Sequence, residues 1–130
     1  MEASFVFDGN YVKIFDFFFD GVEWSDFDTS FKMAVRSGGF AGEGSWECGI
    51  GRFRTFVEAL EEMYQLHTDR AELSDFCYDS HIAFALDRLG HIRVKGTLFG
   101  EHGDQHVAFE FTADQTVLAS FVKELRELLP

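Results

Sequence analysis

The stretch that decides the fold of this chain lies near its start, at residues 5–14, and reads FVFDGNYVKI. Asp8-Gly9-Asn10 stands between the apolar run Phe5-Val6-Phe7 and the run Tyr11-Val12-Lys13-Ile14, and such a turn between two strand-like runs is a strong signal for a tight β-hairpin. The alternation continues to Phe19, but the Ile14-Phe15 step breaks its phase and suggests a β-bulge. An antiparallel sheet is therefore expected to begin with the first residues of the chain.

The same period of two returns at several later places along the chain, with two helical segments between and after them. Residues 51–67 place apolar side chains at helical spacing, which predicts an amphipathic helix. The residues that follow this helix are predicted to form a short connection. A second helix is predicted after Thr112-Ala113-Asp114-Gln115, which has the spacing of a capping box. The remaining strands are predicted at residues 31–35, 40–48, 82–86, 92–98 and 107–111.

These elements predict an α+β fold in one domain, residues 1–130. Strands joined by tight turns pair antiparallel, and two amphipathic helices have one sheet face to cover. We therefore expect a curved antiparallel β-sheet of about six to eight strands with two helices packed on one face. Seventeen Phe and 46% hydrophobic residues suit a real core and exclude a disordered acidic tail.

The net charge of −12 limits the classes of partner. Direct binding to nucleic acid depends on Lys and Arg that neutralise phosphates, and an anionic membrane surface attracts the same residues. Neither partner is expected for a chain with 23 acidic and 11 basic residues. The charge favours a basic protein partner instead.

The sequence predicts a cytoplasmic location. Its first residues lack the basic region and the long apolar run of a secretory signal, and no stretch approaches the roughly 18 uncharged residues that span a bilayer. Cys48 and Cys77 are too few for a disulfide framework, and both are expected to be reduced thiols in the core.

Three groups of residues resemble a metal site, a nucleophile–base pair and a phosphate-binding loop, but none has the pattern that such a site requires. His102 and His106 flank Asp104 with an H-x3-H spacing, but zinc binding through that spacing usually needs a helix, and here it falls on a turn. Cys77 and His81 would be too far apart along a strand to act as a nucleophile and base. Residues 37–44 are glycine-rich without the ending of a phosphate-binding loop, which favours a tight turn and a close approach between strands. No enzyme activity and no cofactor are expected.

The distribution of charge is more informative than these motifs. Residues 1–31 carry seven acidic residues and one basic residue, so half of the net charge lies in the first quarter of the chain. An acidic loop with an exposed aromatic residue is a plausible binding site, because Trp anchors an interface and charge sets orientation and association rate. The alternative is a solvated loop whose Trp folds onto the core. The predicted contact residues are Asp16, Asp20, Glu23, Trp24, Asp26 and Asp28.

Several local motifs resemble the WapI-type immunity proteins of bacterial polymorphic toxin systems, which include contact-dependent inhibition and Rhs-like systems. The points of similarity run from about Asp8 to Leu129 and are fold-bearing. They include Gly39-Phe40-Ala41-Gly42, Gly90-His91-Ile92 and the strand-to-helix junction at residues 109–118. The resemblance implies a protein that binds and neutralises a cognate toxin domain, often a nuclease. The contact surface differs between members of the family, so it implies no binding residue.

We therefore expect an immunity protein that binds a cognate basic toxin domain without catalysis. Two other classes stay open at this point. One is a small enzyme, or a metal- or ligand-binding domain, that uses His102, Asp104 and His106; the other is an adaptor subunit of a larger complex. A homodimer through an edge strand is also possible.

Overall fold

A computed structural model describes residues 1–21, 27–77, 79–100 and 104–130. Within these residues the chain forms four strands and a helix, and then four strands and a second helix. The elements are β1 (Glu2–Phe7), β2 (Asn10–Phe19), β3 (Thr29–Ser37), β4 (Phe40–Cys48), α1 (Ile50–Tyr64), β5 (Arg70–Ser74), β6 (His81–Leu86), β7 (His91–Phe99), β8 (His106–Asp114) and α2 (Leu118–Leu128), with a 3-10 turn at Gln115–Val117.

The predicted α+β class is confirmed: the described residues form eight antiparallel strands, within the predicted range of about six to eight, and two helices. The strands form two sheets of four, in the orders β1-β2-β3-β4 and β5-β6-β7-β8. Strand β5, which was predicted to be part of a connection, exists because Ala71 and Leu73 alternate with exposed residues and are buried. Each helix packs across to the other half of the chain, α1 on β5 and α2 on β1.

The first hairpin and the bulge that follows it are confirmed. Phe7 pairs with Asn10 across a turn at Asp8 and Gly9, whose φ angles of 53° and 80° are those of a tight hairpin turn. The register between β2 and β3 then shifts between Phe15 and Phe18, where Asp16 takes a φ of 52°. The bulge turns Phe17 toward the core and leaves Phe18 outside.

Phenylalanine side chains join the two sheets and the two helices in one core. Phe5 of β1 lies 5.3 Å from Phe84 of β6 and 5.6 Å from Phe121 of α2, measured between ring centroids. Both contacts are edge-to-face, which aromatic rings prefer. In a second group, the ring centroid of Phe53 in α1 lies 5.5 Å from that of Phe31 in the first sheet. Most of the many Phe residues thus build the fold.

The glycine-rich segment does bring strands close together, as predicted. A Cβ atom on Gly44 would lie 2.8 Å from the carbonyl oxygen of Phe99, and one on Gly42 would lie 2.6 Å from Cγ1 of Val107. A side chain at Gly44 would press on the backbone of the second sheet, and one at Gly42 would require Val107 to shift, so glycine at these positions allows the close approach of β4.

Two details of the helices differ from the prediction. The capping box was wrong, because Thr112 belongs to β8 and the carboxylate of Asp114 accepts the N–H of Thr116 at 3.0 Å instead. Helix α1 ends at Tyr64 rather than at the predicted residue 67. Both Tyr64 and His67 are exposed, so the buried face of the helix does not extend to them. Among the described residues, no helix has the length and apolar character needed to cross a membrane.

Candidate partner-binding site

The first sheet has two ends of different construction. Its hairpin end carries the turns at Asp8-Gly9 and Gly38-Gly39. Its loop end, where β2 and β4 finish and β3 begins, carries the acidic segment predicted from the sequence and also receives residues 75–77, which follow β5.

Of the six predicted contact residues, two lie exposed at or beside the loop end. Asp16 stands at the bulge with 67% of its side chain exposed, and its Oδ2 is 3.9 Å from Nζ of Lys32. Asp20 is exposed just after β2, and its backbone N–H donates to the carbonyl oxygen of Asp28 at 3.0 Å. Three other predicted residues lie outside the described residues: Glu23, Trp24 and Asp26.

Asp28 has a structural role that the sequence analysis did not assign to it. Only 3% of the residue is exposed, so its carboxylate cannot touch a partner directly. Its Oδ1 accepts the N–H of Ile50 at 2.8 Å and the hydroxyl of Thr29 at 2.9 Å. Ile50 is the first residue of α1, whose N-terminal N–H groups need acceptors from outside the helix. Asp28 therefore ties the loop end to the helix.

Among the residues that the structure describes, three exposed aromatic side chains lie at the loop end. Phe18 is 62% exposed, and Phe27 and Phe76 are each 58% exposed. The rings of Phe27 and Phe76 lie 5.6 Å apart at an angle of 40°. Sequence reasoning missed Phe18 and Phe76 as surface residues. The one available signal was that Phe76 follows an acidic residue in a segment without helical or strand period.

Residues 75–77 are held against the end of β4 by hydrogen bonds from both the backbone and the side chains. Asp75, only 7% exposed, accepts the N–H of Glu47 at 2.7 Å through its Oδ1. The N–H of Phe76 donates to the carbonyl oxygen of Glu47 at 2.8 Å, and the N–H of Asp75 donates to that of Ser80. Glu47 pairs with Ser30, which in turn pairs with Phe18. These residues therefore form one row across the loop end, in which neighbouring strands are about 4.8 Å apart.

The two cysteines differ, which corrects the prediction that both are buried. Cys77 is exposed, and its thiol donates to Oε2 of Glu47 across 3.2 Å. This hydrogen bond raises the pKa of Cys77 to about 11. Cys48 is buried, and burial, with smaller contributions from the Asp75 and Asp28 carboxylates, raises its pKa to about 12. At neutral pH both are thiols rather than nucleophilic thiolates.

The described residues of the alternative metal site do not form a site. His102 lies outside the described residues, Asp104 is exposed, and the ring of His106 lies 5.2 Å from that of Phe99. In the described part of the chain, no three His, Cys, Asp or Glu side chains are placed to hold a metal ion.

A shallow cavity of about 510 Å³ lies beside His81 and His106 on the second sheet. One of its hydroxyl residues, Ser80, is completely buried and accepts the N–H of Phe99 at 3.0 Å. Nδ1 of His81 lies 3.2 Å from the carbonyl oxygen of Asp79. Ser80 and His81 thus each make a hydrogen bond with a backbone group, of Phe99 and of Asp79 respectively.

Comparisons with known proteins place the chain. Residues 9–130 match the family described as the immunity protein WapI-like family. No curated protein matches the chain significantly. A solved structure described as "Crystal structures of trypanosoma bruciei MRP1/MRP2" is similar with a TM-score of 0.53 and 12% identity, over 99% of this chain and 82% of that one. At that identity the likeness concerns the fold alone.

Proposed function

Because the chain belongs to the WapI-like immunity protein family, we propose that it neutralises a cognate toxin domain by binding it, in the cytoplasm and without catalysis. We propose further that this toxin domain is basic and of nuclease type. Family membership supports the role in immunity, and the charge of the chain supports the character of the partner.

The physical basis of the proposal is electrostatic complementarity. A nuclease must attract a polyanionic substrate, so the cleft that holds its active site is usually basic. A protein with a net charge of −12 is attracted to such a surface and can cover it or an adjoining one. Complementary charge accelerates the encounter, while buried aromatic contacts slow dissociation.

The observation that carries the proposal is the combination of acidic and exposed aromatic residues at the loop end. Aromatic residues are enriched among the few that dominate binding energy at protein interfaces. Asp28 contributes by holding this end together rather than by direct contact. The proposed contact residues are Asp16, Asp20, Glu23, Trp24 and Asp26, to which the structure adds Phe18, Phe27 and Phe76.

Co-expression tests the function itself. The chain would be produced together with the C-terminal domain encoded by whatever large reading frame lies immediately upstream of its own. We expect it to rescue growth from that toxic domain and to copurify with it. If the chain neither rescued growth nor copurified with the domain, this result would count strongly against an immunity role for the pair.

Charge reversal tests the surface. Asp16, Asp20 and Glu23 would be changed to Lys, and the control would change Glu58, Glu62 and Glu127 to Lys for the same change in net charge. We expect the first variant to bind the captured toxin domain about tenfold more slowly at low salt, with a weaker dependence on salt. Equal association rates for the two variants would remove these acids from the contact.

A homodimer through an edge strand stays a prediction, which size-exclusion chromatography with light scattering measures directly. At the edge strand β1, the N–H of Ser4 donates to the carboxylate of Glu124 of α2 at 3.0 Å. A second copy that paired with β1 would have to displace this contact.

A further inference from the structure

Phe27 and Phe76 form a fixed aromatic pair on the surface. Their rings lie 5.6 Å apart, and more than half of each residue is exposed. Both residues lie outside the cluster of buried core residues. Burying such rings would have been favourable, so an exposed pair of this kind marks a place where another molecule can cover it.

Each of the two rings is adjacent in sequence to a buried aspartate that fixes the backbone. Asp28 follows Phe27 and accepts the N–H of Ile50, while Asp75 precedes Phe76 and accepts the N–H of Glu47. The backbone N–H of Phe76 itself donates to the carbonyl oxygen of Glu47 at 2.8 Å. The backbone that carries the pair is therefore fixed on both sides before any partner arrives, which lowers the entropy lost on binding.

A carboxylate reaches the segment that carries one of the rings. Oε2 of Glu47 accepts the thiol of Cys77, the residue after Phe76, at 3.2 Å. The face of an aromatic ring attracts a cation, and a carboxylate forms strong paired hydrogen bonds with a guanidinium group. Arginine satisfies both, because its planar group stacks on a ring and presents a fork of donors, whereas lysine presents a compact charge.

We propose that Phe27, Phe76 and Glu47 form an anchor site for an arginine side chain presented by the partner. This inference rests on the proposed function, since the partner is the basic protein named there. It adds the chemistry of recognition: a guanidinium group stacked against the phenyl pair and bound by the Glu47 carboxylate.

The first experiment needs no toxin. The isotope-labelled full chain would be titrated with the blocked tripeptide Gly-Arg-Gly and followed by NMR. The control peptide contains citrulline, which keeps the shape of arginine and lacks its charge. We expect shifts concentrated at the amides of Glu47, Phe76 and Cys77 with the arginine peptide, and their loss in Phe76→Ala and Glu47→Gln. Scattered shifts, or the same shifts with citrulline, would overturn the inference.

The second experiment uses the toxin domain captured by co-expression. The double variant Phe27→Ala, Phe76→Ala should dissociate from it about tenfold faster or more, the size of loss typical of an interface anchor. Phe40→Ala is the matched control, because Phe40 is 75% exposed and lies at the hairpin end. An equal effect of the two changes would remove the aromatic pair from the interface.

The two proposals fail in different ways. If a toxin domain is captured but the phenyl and Glu47 variants bind it and the arginine peptide like the wild type, the anchor is wrong and the immunity function stands. If no toxin domain is captured while the arginine peptide shifts the expected amides, the anchor chemistry is supported and the proposed function is weakened.

Discussion

The two ends of the first sheet are built by different means. At the hairpin end the chain reverses through residues with positive φ, such as Gly9 at 80° and Gly39 at 99°, and neighbours in sequence make the turn. At the loop end, buried carboxylates join distant parts of the chain: Asp28 binds a residue 22 positions away and Asp75 one 28 positions away. The difference teaches that local backbone preference closes one end, whereas tertiary hydrogen bonds close the end that carries the candidate site.

The largest expected effect on stability comes from removing the carboxylate of Asp28. Asp28→Ala leaves the N–H of Ile50 and the hydroxyl of Thr29 without their acceptor in a buried place. We expect a loss of about 3 kcal/mol in the free energy of unfolding, from a lost helix cap and buried polar groups without partners. Urea denaturation followed by circular dichroism measures it.

Asp28→Asn and Asp20→Ala serve as controls for this prediction. The asparagine keeps an acceptor oxygen and should cost less than the alanine, although its amide group would be buried where Oδ2 has no hydrogen-bond partner among the described residues. Asp20 is exposed, and its replacement should change the stability by about 0.5 kcal/mol or less. If Asp28→Ala were as harmless as Asp20→Ala, the loop end would not depend on this carboxylate.

A smaller effect is expected at the hairpin end. Gly39 has a φ of 99°, and a Cβ atom there would meet nothing within 4 Å, so Gly39→Ala imposes conformational strain without a clash. We expect a loss of about 1 kcal/mol, measured by thermal unfolding.

Gly51→Ala is the matched control for the hairpin end. Gly51 also has open space around it, but it lies in the first turn of α1 without a positive φ. Alanine should therefore stabilise the protein there, by up to about 1 kcal/mol. Shifts of the same sign for the two glycines would contradict the conformational account.

The sequence predicts the helices and strands well where the hydrophobic pattern is clear over many residues. The first hairpin, the bulge near Phe15 and the amphipathic α1 all follow from alternation or helical spacing. The division into two sheets does not follow from it, because strand pairing is a tertiary property. Strand β5 was missed because five residues give only two buried positions, Ala71 and Leu73.

The candidate site is predicted only in part, for a related reason. The excess of acidic residues before Phe31 is visible in the sequence, and it points to the loop end. The contribution of Phe76 and Asp75 is not visible, because the contact of residues 75–77 with Glu47 spans 28 positions. The burial of Asp28 also escapes, since a helix cap supplied from 22 positions away has no local signature.

The smallest expected effect concerns the reactivity of Cys77, which reports on the loop end without changing its fold. Its hydrogen bond to Glu47 raises the pKa of the thiol to about 11, so very little reactive thiolate exists at pH 8.5. Glu47→Gln removes the negative charge and should lower the pKa toward the ordinary value. We expect alkylation by iodoacetamide to become about fivefold faster at this pH, because the larger thiolate fraction outweighs its lower nucleophilicity.

Mass spectrometry with a pH series separates this effect from unfolding. Cys48 is buried with a pKa raised to about 12 and should stay unlabelled in both proteins, so labelling of Cys48 would reveal opening of the core. The raised pKa means that the folded state holds the Cys77 proton more tightly than the unfolded chain does. The protonated Cys77 thiol therefore stabilises the folded state below about pH 9, and this stabilisation is lost as the pH rises through about 11. A labelling profile that Glu47→Gln leaves unchanged would show that Glu47 does not hold the thiol, and residues 75–77 would then be joined to β4 by the Asp75 carboxylate and the backbone of Phe76.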